Sequence, residues 1–336
     1  MTFSVIVPIY NLSDYVEETL QSVQRAVAAL NVDRPGDAVE CICVDDGSSD
    51  ATPERLRSSA EFLARACPSL VFRVVRQENG GEGRARNAGL RLATGEWLTF
   101  LDGDDIWSDK MLVRAVAEIS AHPGADMVAF RLSRFYDGES PAFRPDDAAT
   151  VVDDVEAALP SDVLREVGIA PTFFRADCIR GLRFEPLPLG SDRLYVANAL
   201  CRVRSVARSR SCLYGYRMRQ SSMAHAAWGG RKIASQCDYA VGSLRALVRS
   251  GKRLGREGQA YLASLWLSDV PNRLRRLASG VEKSEAWRHW RATLSDGSLL
   301  RGLPRHSAAR RLLRGLGFSM NASLAFAWTL RKLGLT

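Results

Sequence analysis

The sequence predicts an α/β fold, a mostly parallel sheet flanked by helices, followed by a basic helical extension at the C-terminus. Three observations carry this. Short β-branched runs alternate with helical apolar spacing through the first third of the chain, the pattern of βαβ units. Two of those runs end in acidic clusters, at 45–46 and 102–105, and parallel sheets bind ligands off the carboxyl ends of their strands. The charge is also divided: from Gly229 to Thr336, 20 Lys and Arg stand against 6 Asp and Glu, more than enough to account for the net +8 of the whole chain.

Phe3-Ser4-Val5-Ile6-Val7-Pro8-Ile9 reads as a strand that ends in a loop at Asn11, and Val16, Leu20, Val23, Val27 and Leu30 then share one helical face. Val39 to Val44 is the second strand. Its end, Asp45-Asp46-Gly47-Ser48-Ser49-Asp50, is a turn and N-cap cluster with Pro53 in the first turn of the next helix. Leu70 to Val75 is a third strand, Arg84 to Ala93 a helix, and Trp97 to Leu101 a fourth strand that stops at Asp102-Gly103-Asp104-Asp105. The middle is less regular: a helix from Met111 to Ile119, a strand from Met127 to Leu132, a loop marked by Pro141 and Pro145, a helix from Asp192 to Cys201 and a strand from Val206 to Tyr216. Beyond Gly229-Gly230 the pattern turns helical and Arg-rich. Ile233, Cys237, Val241, Leu244 and Val248 share a face, as do Leu262, Trp266 and Val270. A domain boundary is therefore expected near 228–230, separating 1–228 from 229–336.

Several classes are excluded. At 46% hydrophobic and 25% charged residues the chain has the make-up of a packed globular protein, not of a disordered or fibrous one. The uncharged run from Gly315 to Leu330 is too short and too polar for a membrane span. Met1-Thr2-Phe3-Ser4 offers no basic region ahead of an apolar core, so no secretory leader is expected. Seven cysteines without a C-x-x-C pair argue against a disulfide framework or a zinc ribbon, and a reducing cytoplasm is the expected compartment.

Four stretches can carry chemistry. Asp102-x-Asp104, with Asp105 beside it, places carboxylates so that they converge on a hard divalent cation, or else caps the helix that opens after Ser108. Asp45-Asp46-Gly47-Ser48 is either turn chemistry or a fixed acceptor for a nucleobase or ribose. Gly81-Glu82-Gly83-Arg84-Ala85-Arg86 begins like a dinucleotide fingerprint, but Arg86 stands at the third glycine position and no phosphate-binding P-loop occurs. Arg84 and Arg86, opening a helix after a glycine turn, suit a diphosphate instead. In the tail, Arg273, Arg275, Arg276, Arg310, Arg311 and Arg314 with Trp287, Trp290 and Trp328 suggest basic amphipathic helices. They suit an anionic membrane surface, a helical bundle packed on the rest of the chain, or a homodimer face. No nucleic-acid motif accompanies them, and no nucleic-acid partner is expected.

Val5-Ile6-Val7-Pro8-Ile9-Tyr10-Asn11, Val44-Asp45-Asp46-Gly47-Ser48-Ser49-Asp50, Gln77-Glu78-Asn79-Gly80-Gly81 with Ala85-Arg86-Asn87-Ala88-Gly89, and Phe100-Leu101-Asp102-Gly103-Asp104-Asp105 occur in that order. Together they closely resemble the family 2 (GT-A fold) inverting glycosyltransferases, strongly over about residues 3–115, more loosely to about 225, and not over the tail. The resemblance implies a GT-A domain over 1–228, with a nucleotide-sugar half to about 110 and an acceptor half from about 111. It implies that Tyr10 flanks the nucleobase, that Asp46 or, failing that, Asp45 accepts from the base, and that Asn79, Pro8 and Gly103 line the same pocket. By the same resemblance Arg86 contacts the phosphates, Asp102 the ribose or the metal, and Asp104 ligates Mn²⁺ or Mg²⁺. Asp192, in Gly190-Ser191-Asp192-Arg193, aligns with the general base, with Ser191 where the family carries Glu; the alternative for Asp192 is a helix N-cap. Arg217, in Tyr214-x-Tyr216-Arg217 followed by Ser221-Ser222, matches the stretch that closes over the donor diphosphate, and His225 is either a further metal ligand or an ordinary surface or core histidine. The implied reaction moves a hexosyl or N-acetylhexosaminyl group from a nucleotide-diphospho-sugar, a UDP-sugar for preference, to a hydroxyl of a cell-surface glycan or lipid-linked acceptor at the inner membrane face. A catalytically silent nucleotide-sugar-binding scaffold and transfer to a polyprenyl phosphate remain as alternatives.

Overall fold

A computed structural model describes residues 1–146, 150–156, 158–159, 166–187 and 190–219, with isolated positions elsewhere. His225, Ser221, Ser222, the boundary near 228–230 and the basic and tryptophan-bearing stretches of the tail lie outside the described residues. The elements are β1 (Thr2–Ile9), α1 (Val16–Asp33), β2 (Ala38–Asp45), α2 (Thr52–Ala66), β3 (Leu70–Arg76), α3 (Glu82–Leu92), β4 (Trp97–Phe100), β5 (Ile106–Trp107), α4 (Met111–Ala121), β6 (Met127–Tyr136), β7 (Val151–Asp154), β8 (Ala158–Leu159), β9 (Thr172–Arg175), α5 (Ala176–Ile179), α6 (Ser191–Leu200), β10 (Ser205–Met218) and β11 (Arg253–Leu254). They fall into two units. The first comprises Met1–Asp154, Val167–Pro186 and Val203–His225; the second comprises Val155–Glu166, Leu187–Arg202 and Ala226–Thr336.

The first unit is built on one sheet of order β3-β2-β1-β4-β9-β6-β10-β5, with β7 paired to β10. Strands β3, β2, β1 and β4 are all parallel, with Val5 opposite Cys41 on one side and Thr99 on the other. The rest is mixed. β9 runs antiparallel to β4 and β6, β10 is parallel to β6, and β5 and β7 run antiparallel to β10. Beginning at Ser205, β10 shifts register between Arg208 and Cys212 and again before Tyr214, so that it pairs with β7 at its start and with β5 near its end.

Every residue of β1 from Phe3 to Ile9 and of β2 from Val39 to Asp45 is buried, as strands covered on both faces must be. The apolar stripe of α1 (Val16, Leu20, Val23, Val27 and Leu30) lies on one face with Val5, Val7, Trp107 and Phe173, and each such side chain contributes about 1.5–3 kcal/mol by leaving water. On the other face Ile42 and Val44 meet Ala85 and Ala88 of α3. Gly89 brings that helix down onto β1, because a side chain there would collide with Ile6. Among the described residues no helix is long and apolar enough to cross a membrane.

In the second unit, α6 follows Gly190, whose φ of 82° is a left-handed conformation. Leu194 of that helix packs on Gly242, and β8 pairs in parallel with β11.

Candidate active site

Register brings three strand ends together in the first unit: Ile9 of β1 lies opposite Asp45 of β2, and Ile6 opposite Phe100 of β4. The loop after β2 is fastened to its neighbours. Asn11, left-handed at φ 50°, donates its backbone N–H to Ser48 Oγ at 3.0 Å and accepts from the Ser49 N–H at 2.9 Å. Asp45 accepts from the Ser48 N–H at 2.9 Å and lies 3.5 Å from Arg76 Nε. The Asp46 carboxylate accepts from Gln77 Nε2 at 2.6 Å, from the Gly80 N–H at 3.1 Å and from the Gly81 N–H at 2.7 Å, while Asn79 Nδ2 donates to the Asp46 carbonyl at 3.0 Å. Both aspartates are buried and hold loops in place: Asp46 organises residues 77–81, the lead-in to α3. Beside them Tyr10 is 48% exposed, an aromatic face open to solvent at the end of β1.

The second cluster is the acidic turn after β4. Arg86, buried on α3, donates from Nη2 to Asp102 Oδ1 at 2.6 Å, also pairs with Glu82, and lies 5.4 Å over the ring of Phe184. Phe184 is in turn fixed by reciprocal hydrogen bonds with the Asn87 side chain at 2.9 and 2.8 Å. Gly103 fits where it does because any side chain would come within 2.9 Å of the Pro8 carbonyl, which ties the turn to β1. Asp104 pairs through Oδ2 with Arg219 Nη2 at 2.5 Å, and its carbonyl accepts from Arg217 Nε at 2.8 Å.

Of the residues expected to form the site, Arg86, Asp102, Gly103, Asp104 and Arg217 meet at this turn, with Pro8 against it; Asp45, Asp46 and Asn79 form the loop cluster off β2. Arg217 departs from the expectation in one respect. Its guanidinium is buried, paired with Glu18 at 2.5 Å and Asp137 at 3.4 Å, and stacked over Phe135 and Tyr15; it reaches the turn through Nε at the Asp104 carbonyl, and the cation paired with the Asp104 carboxylate is Arg219. The alternation of extended chain, which puts 217 and 219 on one side, was the signal for Arg219 in the sequence. Glu18 carried none. Asp192 occupies the first turn of α6 in the second unit, half-buried, next to a buried Ser191.

Burial, and then the negative charge of Asp102, push the Asp104 carboxyl above its ordinary range in spite of Arg219. Burial, Asp102 and Asp104 together push Asp105 well above it. Asp102 and Asp104 therefore repel one another across a turn, a charge pattern that a divalent cation relieves. Among the described residues no group of three or more His, Cys, Asp and Glu is placed to hold a metal unaided. The donor set fits a cation held by two hard carboxylates and completed by phosphate oxygens and water, not a protein cage.

Residues 4–188 match the family model described as Glycosyl transferase family 2. GgaB of Bacillus subtilis (strain 168), a minor teichoic acid biosynthesis protein, is 27% identical over 222 residues, covering 65% of this chain and 23% of its own length. The first curated relatives are matched over only 23–37% of their lengths. Among solved structures, S. aureus TarS 1-349 in complex with UDP superposes with a TM-score of 0.69 at 20% identity, over 99% of this chain and 92% of TarS 1-349. The mannosyltransferase PcManGT from Pyrobaculum calidifontis, in complex with GDP-Man and Mn²⁺, superposes with a TM-score of 0.53 at 20% identity, over 98% and 86%. Both likenesses establish the α/β architecture.

Proposed function

Because the chain belongs to glycosyl transferase family 2, we propose that it transfers a sugar from a nucleotide-diphospho-sugar to a hydroxyl of a glycan acceptor, with inversion and with the help of Mn²⁺ or Mg²⁺. The observation that carries this reading is the pair of carboxylate–guanidinium contacts at one turn, Arg86 with Asp102 and Arg219 with Asp104. Such a turn offers oxygens to a cation and guanidinium groups to a diphosphate at the same place. Asp102 and Asp104 would hold the cation, while Arg86 and Arg219 would share the phosphate charge. When bound, the cation supplies positive charge to the leaving nucleoside diphosphate. The exposed ring of Tyr10 is suited to stack on the base. As the acceptor oxygen bonds to the anomeric carbon, the bond to the diphosphate oxygen breaks and its electron pair leaves with the nucleotide. Asp192 is assigned the acceptor proton.

A UDP-sugar is the preferred donor, supported by the UDP bound in TarS. A cell-surface glycan or lipid-linked acceptor is supported by the teichoic acid role for which GgaB is named. The basic stretch from 229 onward supports work at the anionic inner face of the membrane. The test is turnover of UDP-sugars with and without Mn²⁺, read as UDP release and acceptor labelling. Asp104→Ala and Asp192→Ala are each expected to abolish transfer while keeping the melting temperature. Unchanged transfer removes the role of the residue concerned, and donor binding without transfer to any hydroxyl acceptor replaces the enzyme by a nucleotide-sugar-binding scaffold.

A further inference from the structure

Asp102 and Asp104 have a task in the proposed donor site, and Asp105 has none there. Asp105 is 1% exposed, and both of its carboxylate oxygens are taken from β10: Oδ2 accepts from the Tyr214 hydroxyl at 2.6 Å, and Oδ1 accepts from the Arg217 N–H at 2.7 Å. The oxygen of the same Tyr214 hydroxyl accepts from the Asp102 N–H at 3.2 Å. One fully buried phenol therefore joins the first and last residues of the acidic turn to the strand that leads to Arg219. Thr19 of α1, also fully buried, directs its hydroxyl at the carbonyls of Gly103 and Asp105, at 3.0 and 2.9 Å. A turn tied to both β10 and α1 has little freedom in where it presents its two remaining carboxylates.

We propose that Tyr214, acting through Asp105 and the Asp102 backbone, is the positioning residue of the donor site: it sets Asp102 and Asp104 at a fixed distance from the arginine at the end of β10. This rests on the donor-site reading above. A hydroxyl that only satisfied a buried carboxylate would affect stability; one that positions ligands must also affect binding, as partners behind ligating groups do.

The experiment is calorimetric titration of UDP and of GDP in Mn²⁺, with urea melts in parallel, on the wild type, Tyr214→Phe and Thr172→Val. Thr172 is a fully buried threonine of β9 whose hydroxyl donates to the Gly168 carbonyl at 2.6 Å, so Thr172→Val removes a hydrogen bond made to neither the acidic turn nor β10. Both variants are expected to lose stability. Tyr214→Phe alone is expected to weaken nucleotide binding in Mn²⁺ by about 10- to 100-fold, with Thr172→Val within about twofold of wild type. Wild-type affinity in Tyr214→Phe, or an equal loss in Thr172→Val, overturns the positioning role and leaves the donor-site reading standing. Failure of the wild type to bind either nucleotide overturns both. Should Tyr214→Phe not fold, Asp105→Asn, which keeps an accepting oxygen for only one of its two donors, is expected to show the same selective loss, and wild-type affinity there overturns the proposal.

Discussion

Arg219 and Asp104 hold each other, and this contact makes two affinities move in opposite directions. Replacing the guanidinium with a neutral amide frees Asp104 from its competing cation and removes a partner for phosphate. Arg219→Gln is therefore expected to bind Mn²⁺ alone more tightly than wild type, and UDP with Mn²⁺ more weakly, by about tenfold each, the worth of one charge-assisted contact near 1.4 kcal/mol. Electron paramagnetic resonance of free Mn²⁺ and calorimetry of UDP separate the two; a change in the same direction for both would contradict the assignment. Arg86 differs because it is buried and stacked on Phe184 as well as paired with Asp102. Lysine lacks the planar fork and the stacking face. Arg86→Lys is accordingly expected to lower the melting temperature and to cost UDP affinity at least as much as Arg219→Gln does, although the formal charge is kept.

The elements show why some of this was readable from residues and some was not. The strands that end at Ile9, Asp45 and Phe100 are mainly apolar runs, and β2 and β4 are closed by Asp and Gly, so the existence of these strands, their parallel pairing and the acids at the tips of β2 and β4 follow from the sequence. The turn after β2 is legible to the level of one glycine. Gly47 sits at φ 76°, and a Cβ there would come within 2.8 Å of the Asn79 nitrogen. Gly47→Ala is expected to cost at least about 1–2 kcal/mol, the penalty of a left-handed L-residue, seen as a lower urea midpoint, and to loosen the 77–81 loop that Asp46 holds. By contrast β5, β7 and β9 are two to four residues long, too short to show a period, and the antiparallel half of the sheet was therefore not foreseen. The same holds for pairings across great sequence distance. Glu18 with Arg217 and Asp105 with Tyr214 are set by the register of β10, whose two shifts leave no trace in its alternation.

At the scale of the whole sheet of the first unit, the two ends of the parallel strands carry carboxylates of opposite character. At the amino ends, Glu40 of β2 accepts from Ser4 Oγ at 2.6 Å, from the Thr94 N–H at 2.6 Å and from Thr94 Oγ1 at 2.8 Å, and pairs with Arg73 at 3.2 Å. Burial alone would raise its pKa, but the hydrogen bonds and Arg73 outweigh burial and hold it below the ordinary glutamate range. At the carboxyl ends, burial and Asp102 hold Asp104 above the ordinary range. The signs then fix an order of events on acidification. Asp104 takes up its proton before Glu40, at a pH above the usual carboxylate value of about 4, and nucleotide binding that relies on a cation at Asp104 is expected to weaken from there. The stabilisation from Glu40 is fully present above about pH 4.3, the unfolded value, and disappears only as the pH falls through its lower folded value. Calorimetry and circular dichroism over one pH series should thus show UDP binding in Mn²⁺ failing while the fold is intact. Glu40→Gln should lower the urea midpoint at pH 7 and differ progressively less from wild type as the pH is taken below 4, with little effect on the pH at which binding is lost. A constant difference across that range would mean that Glu40 contributes through packing and not through its charge.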